Sequence, residues 1–397
     1  HLPDITVIRP IFIGDRRLGF VAARGHHVDV GGIQPGSMPP HATHIGEEGL
    51  ILSQVLISDG ARFLPPPLPG CRQPDEVRAD LIAQIAACEA GASLLVALAV
   101  EQSAAVVTAQ LGHLMARAGA VVADHLPRLA GTHTATEILD DGTPITVTLT
   151  VTGRRGHLTI DAPAHPGNLN APRAVAIAAL LYVFRCLVDS DLPLSEGALR
   201  PLTLTVTPGG LLDPSFPAAV AGGNVETSQR LVDALLRALG AQAGSQGTMN
   251  NLTVGTPTGA FYETIGGGSG AGPGFDGAHA VQVHMTNTAA TDVEELEARF
   301  PVRLEEWARR TGSGGDGRWR GGDGCVRVWR FLAPAEVALL AGRRDRGAPG
   351  LVGGGDGAPG CDERDVGNGW EPAPPTWTAK AGDRLRIATP GGGGAGR

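Results

Sequence analysis

The sequence predicts an α+β protein built in several layers, with a helix-containing first half and a Gly-rich, β-dominated second half. Three observations predict it. Apolar residues recur at helical spacing between residues 74 and 125, and β-branched runs with Thr/Val alternation surround that stretch. The 58 glycines and 30 prolines, densest from Gly244 onward, cut the rest into short extended pieces joined by turns. With 397 residues, 42% of them hydrophobic, the chain exceeds one core. It divides into a β-hairpin and loop (1–70), an α+β region with a helical hairpin (71–243) and a Gly-rich β-dominated region (244–397).

Residues 5–13 and 18–23 are apolar and β-rich, and Gly14-Asp15-Arg16-Arg17 between them marks a hairpin turn. A polar loop with Gly-Gly, Pro-Gly and Pro-Pro signals covers 31–40. After the breaker Pro65-Pro66-Pro67, a helix over 74–99 places Val77, Leu81, Ile85 and Cys88 on one face. A second helix over 103–125 carries Val106, Val107, Gln110, Leu114 and Ala118 at similar spacing. Strands follow at 145–151, 157–160 and 202–207, and helices at 173–188 and 226–239. Beyond Gly244 short β pieces are expected at 281–285, 302–307, 326–331, 337–340 and 385–387, with a flexible tail at 391–394.

A net charge of -8, without a basic patch interleaved with aromatics, argues against nucleic acid as a partner. Cys71, Cys88, Cys186, Cys325 and Cys361 are odd in number and lack CxxC spacing, so reduced thiols are expected. The longest apolar runs, 91–100 and 174–184, are too short to span a bilayer. No signal-peptide pattern opens the chain, so a cytoplasmic protein without a membrane partner is expected. The one lysine, Lys380, does not lie in a P-loop, and no Gly-x-Ser-x-Gly elbow occurs. ATP used by the P-loop route would have to come from another polypeptide.

Three segments carry candidate chemistry. A hairpin over 5–23 folds His26 and His27 back toward His1 and Asp4, and two imidazoles with a carboxylate suit a divalent ion such as Mn, Fe or Zn. Read as an ordinary strand end, the same residues form only a polar turn. His41, His44, Glu47 and Glu48 are assigned to a Pro-rich loop. The stretch from Gly222 to Arg230, containing Asn224, Glu226 and Ser228, opens a helix whose N-terminal amides could receive an anion. Gln246, Asn250 and Asn251 surround Gly247 with uncharged hydrogen-bonding groups, as orientation of an amide requires. In the third segment Tyr262 and Glu263 precede Gly266 and Gly267, a glycine run that could bring backbone amides close to a phosphate.

These segments, in order, resemble the hydantoinase B/oxoprolinase family. The resemblance is carried by His-Leu-Pro-Asp at the start, Gly25-His26-His27-Val28-Asp29, Pro35-Gly36-Ser37-Met38 and Gly167-Asn168-Leu169-Asn170. It continues through Gly-Gly-Asn-Val-Glu-Thr-Ser-Gln-Arg, Ser-Gln-Gly-Thr-Met-Asn-Asn, Tyr-Glu-Thr-Ile-Gly-Gly-Gly and His284-Met285-Thr286-Asn287-Thr288 to the final glycines. It implies a hydrolase part that opens a cyclic amide after a hydantoinase A-type ATPase partner has activated it with ATP, in a hetero-oligomer. It also implies a divalent metal (Mn, Zn or Fe) on His1, Asp4 and His26, with His27 and Asp29 behind them. Catalytic roles fall on Asn224, Glu226, Ser228, Gln246 and Asn250, and substrate contacts on Asn251, Glu263, Gly266 and Gly267. A ketone carboxylase subunit and a truncated scaffold for the ATPase partner are the alternatives. Family members normally carry further chain before His-Leu-Pro-Asp, so an upstream segment is expected to be missing. The passage from Asp161 to Pro166 is also shorter than usual in the family.

Overall fold

The computed structural model describes residues 1–188, 191–256 and 259–397. The chain opens with β1 (Asp4–Ile13) and β2 (Arg16–His26), then α1 (Pro74–Gln102) and α2 (Ala104–His125). Next come β3 (Gly131–Ile138), β4 (Pro144–Thr152), β5 (Arg155–Asp161), α3 (Arg173–Leu187), β6 (Leu202–Val206) and α4 (Ser228–Ala238). The second half contains β7 (Asn251–Thr256), β8 (Gly259–Glu263), α5 (Val293–Arg299), β9 (Val302–Arg309) and β10 (Cys325–Phe331). It ends with β11 (Ala335–Leu340), β12 (Cys361–Asp365), β13 (Trp370–Pro372), β14 (Thr376–Ala379) and β15 (Arg384–Ala388). The fold is α+β, as its sequence predicts.

Strand alternation explains the first sheet, ordered β3-β4-β5-β6. Along β4, Ile145, Val147, Leu149 and Val151 are buried, while the threonines between them face outward. Those threonines meet partners on β3: Thr150 with Thr132, Thr148 with Thr134 and Thr146 with Thr136. β5 and β6 are parallel, so their connection must cross over, and α3 lies within it. The inner face packs on α3 and α4 through Leu180, Val183, Phe184, Leu231 and Leu235.

The second core lies among the strands of two further sheets, ordered β14-β11-β7-β8 and β13-β12-β15-β10-β9. Phe261, Trp329, Phe331, Leu385 and Ile387 are among its members. β12 reads Cys-Asp-Glu-Arg-Asp and has no apolar pattern, which is why sequence reading passes over it. Ion pairs hold it instead: Glu363 with Arg386 and Asp365 with Arg384 on β15, and Arg364 with Glu371 on β13. β3, β7, β13 and β14 were likewise not among the expected strands.

The hairpin β1–β2 packs on α1 through Val7, Val77, Leu81 and Cys88. Gln84 of α1 reaches into that contact, and its amide donates to the carbonyls of Ile5 and Ala23. This fastens both strands to one helix.

Three expectations are corrected. Residues 281–285 form no strand: a lone bridge joins Val281 to Gly267, and left-handed φ at Ala280 and His284 (50° and 51°) turns the chain. The glycine tail is buried and paired. Gly392 N donates to Gly322 O, Gly393 N to Gly244 O and Gly394 N to Gly355 O, because glycines let these backbones approach without side chains between them. Finally, Pro74–Gln102 and Ala104–Leu129 are long and apolar enough, by length and composition, to cross a bilayer, and little of the most apolar part of each is buried. Counting apolar runs missed this, because single polar residues interrupt a helix without removing its apolar character.

Candidate metal and amide-binding site

The two-residue turn at Gly14-Asp15 starts the pairing of β1 with β2, and a bulge between Ile11 and Phe12 shifts the register by one residue, so that Asp4 pairs with His26. His27 N donates to Pro3 O (2.9 Å), drawing the first residues over the end of the hairpin. His1 Nε2 then lies 3.1 Å from His26 Nε2, and His1 Nδ1 lies 3.0 Å from Asp4 Oδ2, close but without hydrogen-bond alignment. Burial lowers the pKa of His26 against the opposing pull of Asp4, which favours the neutral imidazole. The sequence-predicted trio is brought together.

His27 and Asp29 serve the scaffold. His27 Nε2 is 3.2 Å from Gln84 Oε1. Asp29 accepts from the amides of Gly31 and Gly36 and pairs with Arg72 (3.1 Å). His44 Nδ1 accepts from Gly46 N, which keeps it within its own loop.

Beside the trio stands Tyr262, on β8. Its ring stacks on His26 with centroids 5.0 Å apart and planes 13° apart. Its hydroxyl donates to Asn251 Oδ1 (2.6 Å), and burial pushes the phenol well above its ordinary pKa. Asn251 Nδ2 donates to Leu340 O (2.6 Å) and Glu226 Oε1 (3.1 Å). Glu226 lies on a π-helical turn, Gly223–Thr227, and its Oε1 also accepts from Thr248 Oγ1 (2.8 Å) and Met249 N (3.3 Å). Glu226 Oε2 has no partner, and burial raises the carboxyl from 4.5 to about 8. Burial thus favours the protonated form of Glu226. Asn250 bridges Gln246 Oε1 (2.8 Å), Ile265 O (2.9 Å) and Arg344 Nη1 (2.8 Å), while Gln246 Nε2 is buried without a partner.

The other expected residues are placed differently. Asn224 is half-buried, and its carbonyl accepts the Ser228 hydroxyl (2.6 Å), so that hydroxyl is engaged within its own helix. The helix carrying them begins upstream of Gly223, so its interior, rather than its N-terminus, holds Glu226. The amides of Val220 and Ala221 donate to Glu48 Oε1 (2.7 and 2.8 Å), and a carboxylate of the chain itself takes the anion position expected for a ligand. Glu263 pairs with buried Arg327 (2.6 Å), whose guanidinium lies over Trp307 and Trp329. Gly267 N is bonded to Val281 O and Gly268 N to Pro390 O, which leaves these amides no phosphate to receive. Gly267 has another role: a Cβ there would overlap Gln246 Oε1. Gly266 O accepts from Thr389 Oγ1 (2.9 Å). Sequence reading missed Tyr262, Thr248, Arg344 and Glu48 as contributors. Tyr262 and Thr248 lie inside quoted motifs, but only the fold shows what they face.

Two openings flank the trio. A cavity of about 960 Å³ runs along β1, α1 and residues 50–60, with His1 and Asp4 in its wall. A cleft of about 360 Å³ is lined by His26, Val28, Glu76, Ala79, Asp80 and Tyr262. Both volumes fall in the range of small-molecule sites.

The profile of one protein family, Hydantoinase B/oxoprolinase, matches residues 1–397. The chain belongs to this family. It is 41% identical to a 5-oxoprolinase of Dictyostelium discoideum and 40% identical to 5-oxoprolinase 1 of Arabidopsis thaliana, matching over its whole length. It covers 33% and 34% of those two proteins, so it spans about a third of the curated relatives it matches. Among solved structures, an ATP-dependent caprolactamase from Pseudomonas jessenii superimposes on 100% of this chain and 75% of its own, with a TM-score of 0.88 and 25% identity. An acetone carboxylase shares the fold with a TM-score of 0.85 over 100% of this chain and 63% of its own, at 16% identity.

In this hydantoinase B/oxoprolinase chain the trio offers donor types that a divalent metal takes: the buried ring of His1 faces the exposed ring of His26, and the orphaned Nδ1 of His1 stands beside the Asp4 carboxylate. The contacts are pairwise. His1 meets His26 through Nε2 and Asp4 through Nδ1, and among the described residues no three His, Cys, Asp or Glu groups converge closely enough to hold a metal ion.

Proposed function

We propose that this chain is the hydrolytic part of an ATP-dependent cyclic-amide hydrolase of the 5-oxoprolinase/hydantoinase type. It acts on a substrate activated by an A-type ATPase, and is cytoplasmic because ATP is supplied there. The observation that carries the reading is the meeting of His1, Asp4 and His26 at the end of the hairpin, against Tyr262 and between two openings. The match of this whole chain to about a third of two 5-oxoprolinases supports the substrate class.

In this reading His1, Asp4 and His26 hold a divalent metal. Bound there, it supplies Lewis acidity toward the activated carbonyl. His26 offers a neutral ring nitrogen because burial disfavours its charged form. Tyr262 walls the cleft with a flat ring. Asn251 holds the phenol in place, and protonated Glu226 anchors Asn251 without adding negative charge beneath the site.

The test is reconstitution with an A-type ATPase, with 5-oxoproline, hydantoin and caprolactam as substrates. Ring opening is expected only when the chain, the ATPase and ATP are present together. Ring opening by this chain with ATP but without the ATPase would overturn the division of labour. Bicarbonate-dependent carboxylation of a ketone, without ring opening, would move the chain to the carboxylase branch.

A further inference from the structure

His26 ends β2, and His27 beside it turns its ring to Gln84 on α1. The His26 ring contacts two other rings: His1, tilted by 44° at 5.1 Å, and Tyr262, nearly parallel. An imidazole rotates in a broad, roughly two-fold well about its outer torsion. The direction of Nε2 is therefore set by what its face rests on.

Tyr262 is held at both ends. Its ring lies along the 360 Å³ cleft with His26, and its hydroxyl is fixed 2.6 Å from Asn251 Oδ1. Asn251 cannot drift, because its amide nitrogen is shared between Leu340 O and Glu226 Oε1. Glu226 Oε1 is fixed in turn by Thr248 and Met249. A buried hydrogen-bond chain thus runs from the π-helical turn to one face of one histidine. Tyr262 also packs against the small core of Met38, Val225, Met249 and Leu340, a contact that a phenylalanine would keep and that leaves the hydroxyl's bond to Asn251 to be accounted for.

We propose that Tyr262 is a positioning residue: anchored through Asn251, it sets the plane of the His26 imidazole and aims Nε2 at His1. The inference rests on the reading of His26 as a site residue. It explains why an aromatic bearing a hydroxyl, rather than phenylalanine, stands before Glu263. Phenylalanine would stack, but its position would not be tied to Asn251.

The experiment compares the parent with Tyr262→Phe and Tyr262→Leu, after circular dichroism has checked folding. Two readouts are taken: the His26 tautomer from long-range ¹H–¹⁵N spectra of metal-free protein, and Mn²⁺ and Zn²⁺ affinity by titration. Groups that orient a metal-bound histidine typically contribute 10- to 100-fold to affinity. Tyr262→Leu is expected to weaken binding by about tenfold or more and to average the His26 tautomers. Tyr262→Phe should weaken binding by about threefold, because the stack persists without its anchor. A Tyr262→Phe protein matching the parent in both readouts overturns the proposal, whether or not the leucine variant folds. If the parent takes up neither ion, the metal reading fails and the tautomer readout still judges Tyr262. If the parent binds metal and both variants follow it, this inference fails while the functional reading stands.

Discussion

Glu226 offers a direct check on the buried polar cluster, through Glu226→Gln. Glutamine keeps the oxygen that accepts from Thr248, Met249 and Asn251, and places an amide where Oε2 has no partner. Burial raises the folded carboxyl from 4.5 to about 8, against the lowering pull of Thr248, Arg230, Met249 and Arg344. Below about pH 4.5 both folded and unfolded forms are protonated, and the parent has its full stability. As pH rises, the unfolded carboxyl ionises in water while the folded one keeps its proton, so stability is lost progressively. The loss stops near pH 8, where the folded group ionises as well. At about 1.4 kcal/mol per pH unit, the span from 4.5 to about 8 corresponds to roughly 5 kcal/mol. The glutamine has no such dependence, only a constant offset of about 1–2 kcal/mol for its altered hydrogen bonding. Urea unfolding of both proteins from pH 5 to 9, at fixed ionic strength, gives the difference in stability, in which other titrating groups cancel. That difference should shift in favour of glutamine by several kcal/mol between pH 5 and 8. A flat difference, or one falling with pH, would mean that Glu226 is ionised in the folded protein and balanced by Arg230 and Arg344.

Three further outcomes are expected. His26→Ala should abolish stoichiometric Mn or Zn while His44→Ala leaves it unchanged, because His44 bonds within its own loop; elemental analysis of the purified proteins decides. Glu48→Ala leaves the amides of Val220 and Ala221 without an acceptor and should cost roughly 2–4 kcal/mol in denaturant unfolding, whereas Glu48→Gln keeps the accepting oxygen and should lose less. Gly392→Ala places a methyl group on the carbonyl of Ser269, backbone that cannot swing aside, and should cost roughly 3 kcal/mol. An unchanged melting temperature for that variant would show that the tail is loose.

Local pattern made much of the fold legible. The breaker Pro65-Pro66-Pro67 and the face through Val77, Leu81 and Cys88 located α1 to within a few residues of its ends. Thr/Val alternation located β4, and the turn at Gly14-Asp15 located the hairpin that pairs Asp4 with His26. β12 was illegible because ion pairs to β13 and β15, rather than apolar periodicity, hold it in its sheet. The segment 281–285 misled because left-handed φ at Ala280, just before it, and at His284 within it turns the chain, and no local propensity signals this.

The same division runs through the candidate site. Sequence alone determined which residue types are available: the two histidines and the aspartate at the hairpin end, the amides around Gly247, and the family to which their order belongs. Tertiary structure decided which of them face one another. It set Tyr262 on His26, 236 positions along the chain; it closed a helix N-terminus with Glu48, 172 positions before Val220; and it folded the last glycines into the interior. Turn and strand signals are written in a few neighbouring residues, because they arise from local backbone and side-chain sterics. Hydrogen-bond partners and close backbone contacts arise only when segments distant in sequence pack together, and no short stretch of sequence records them.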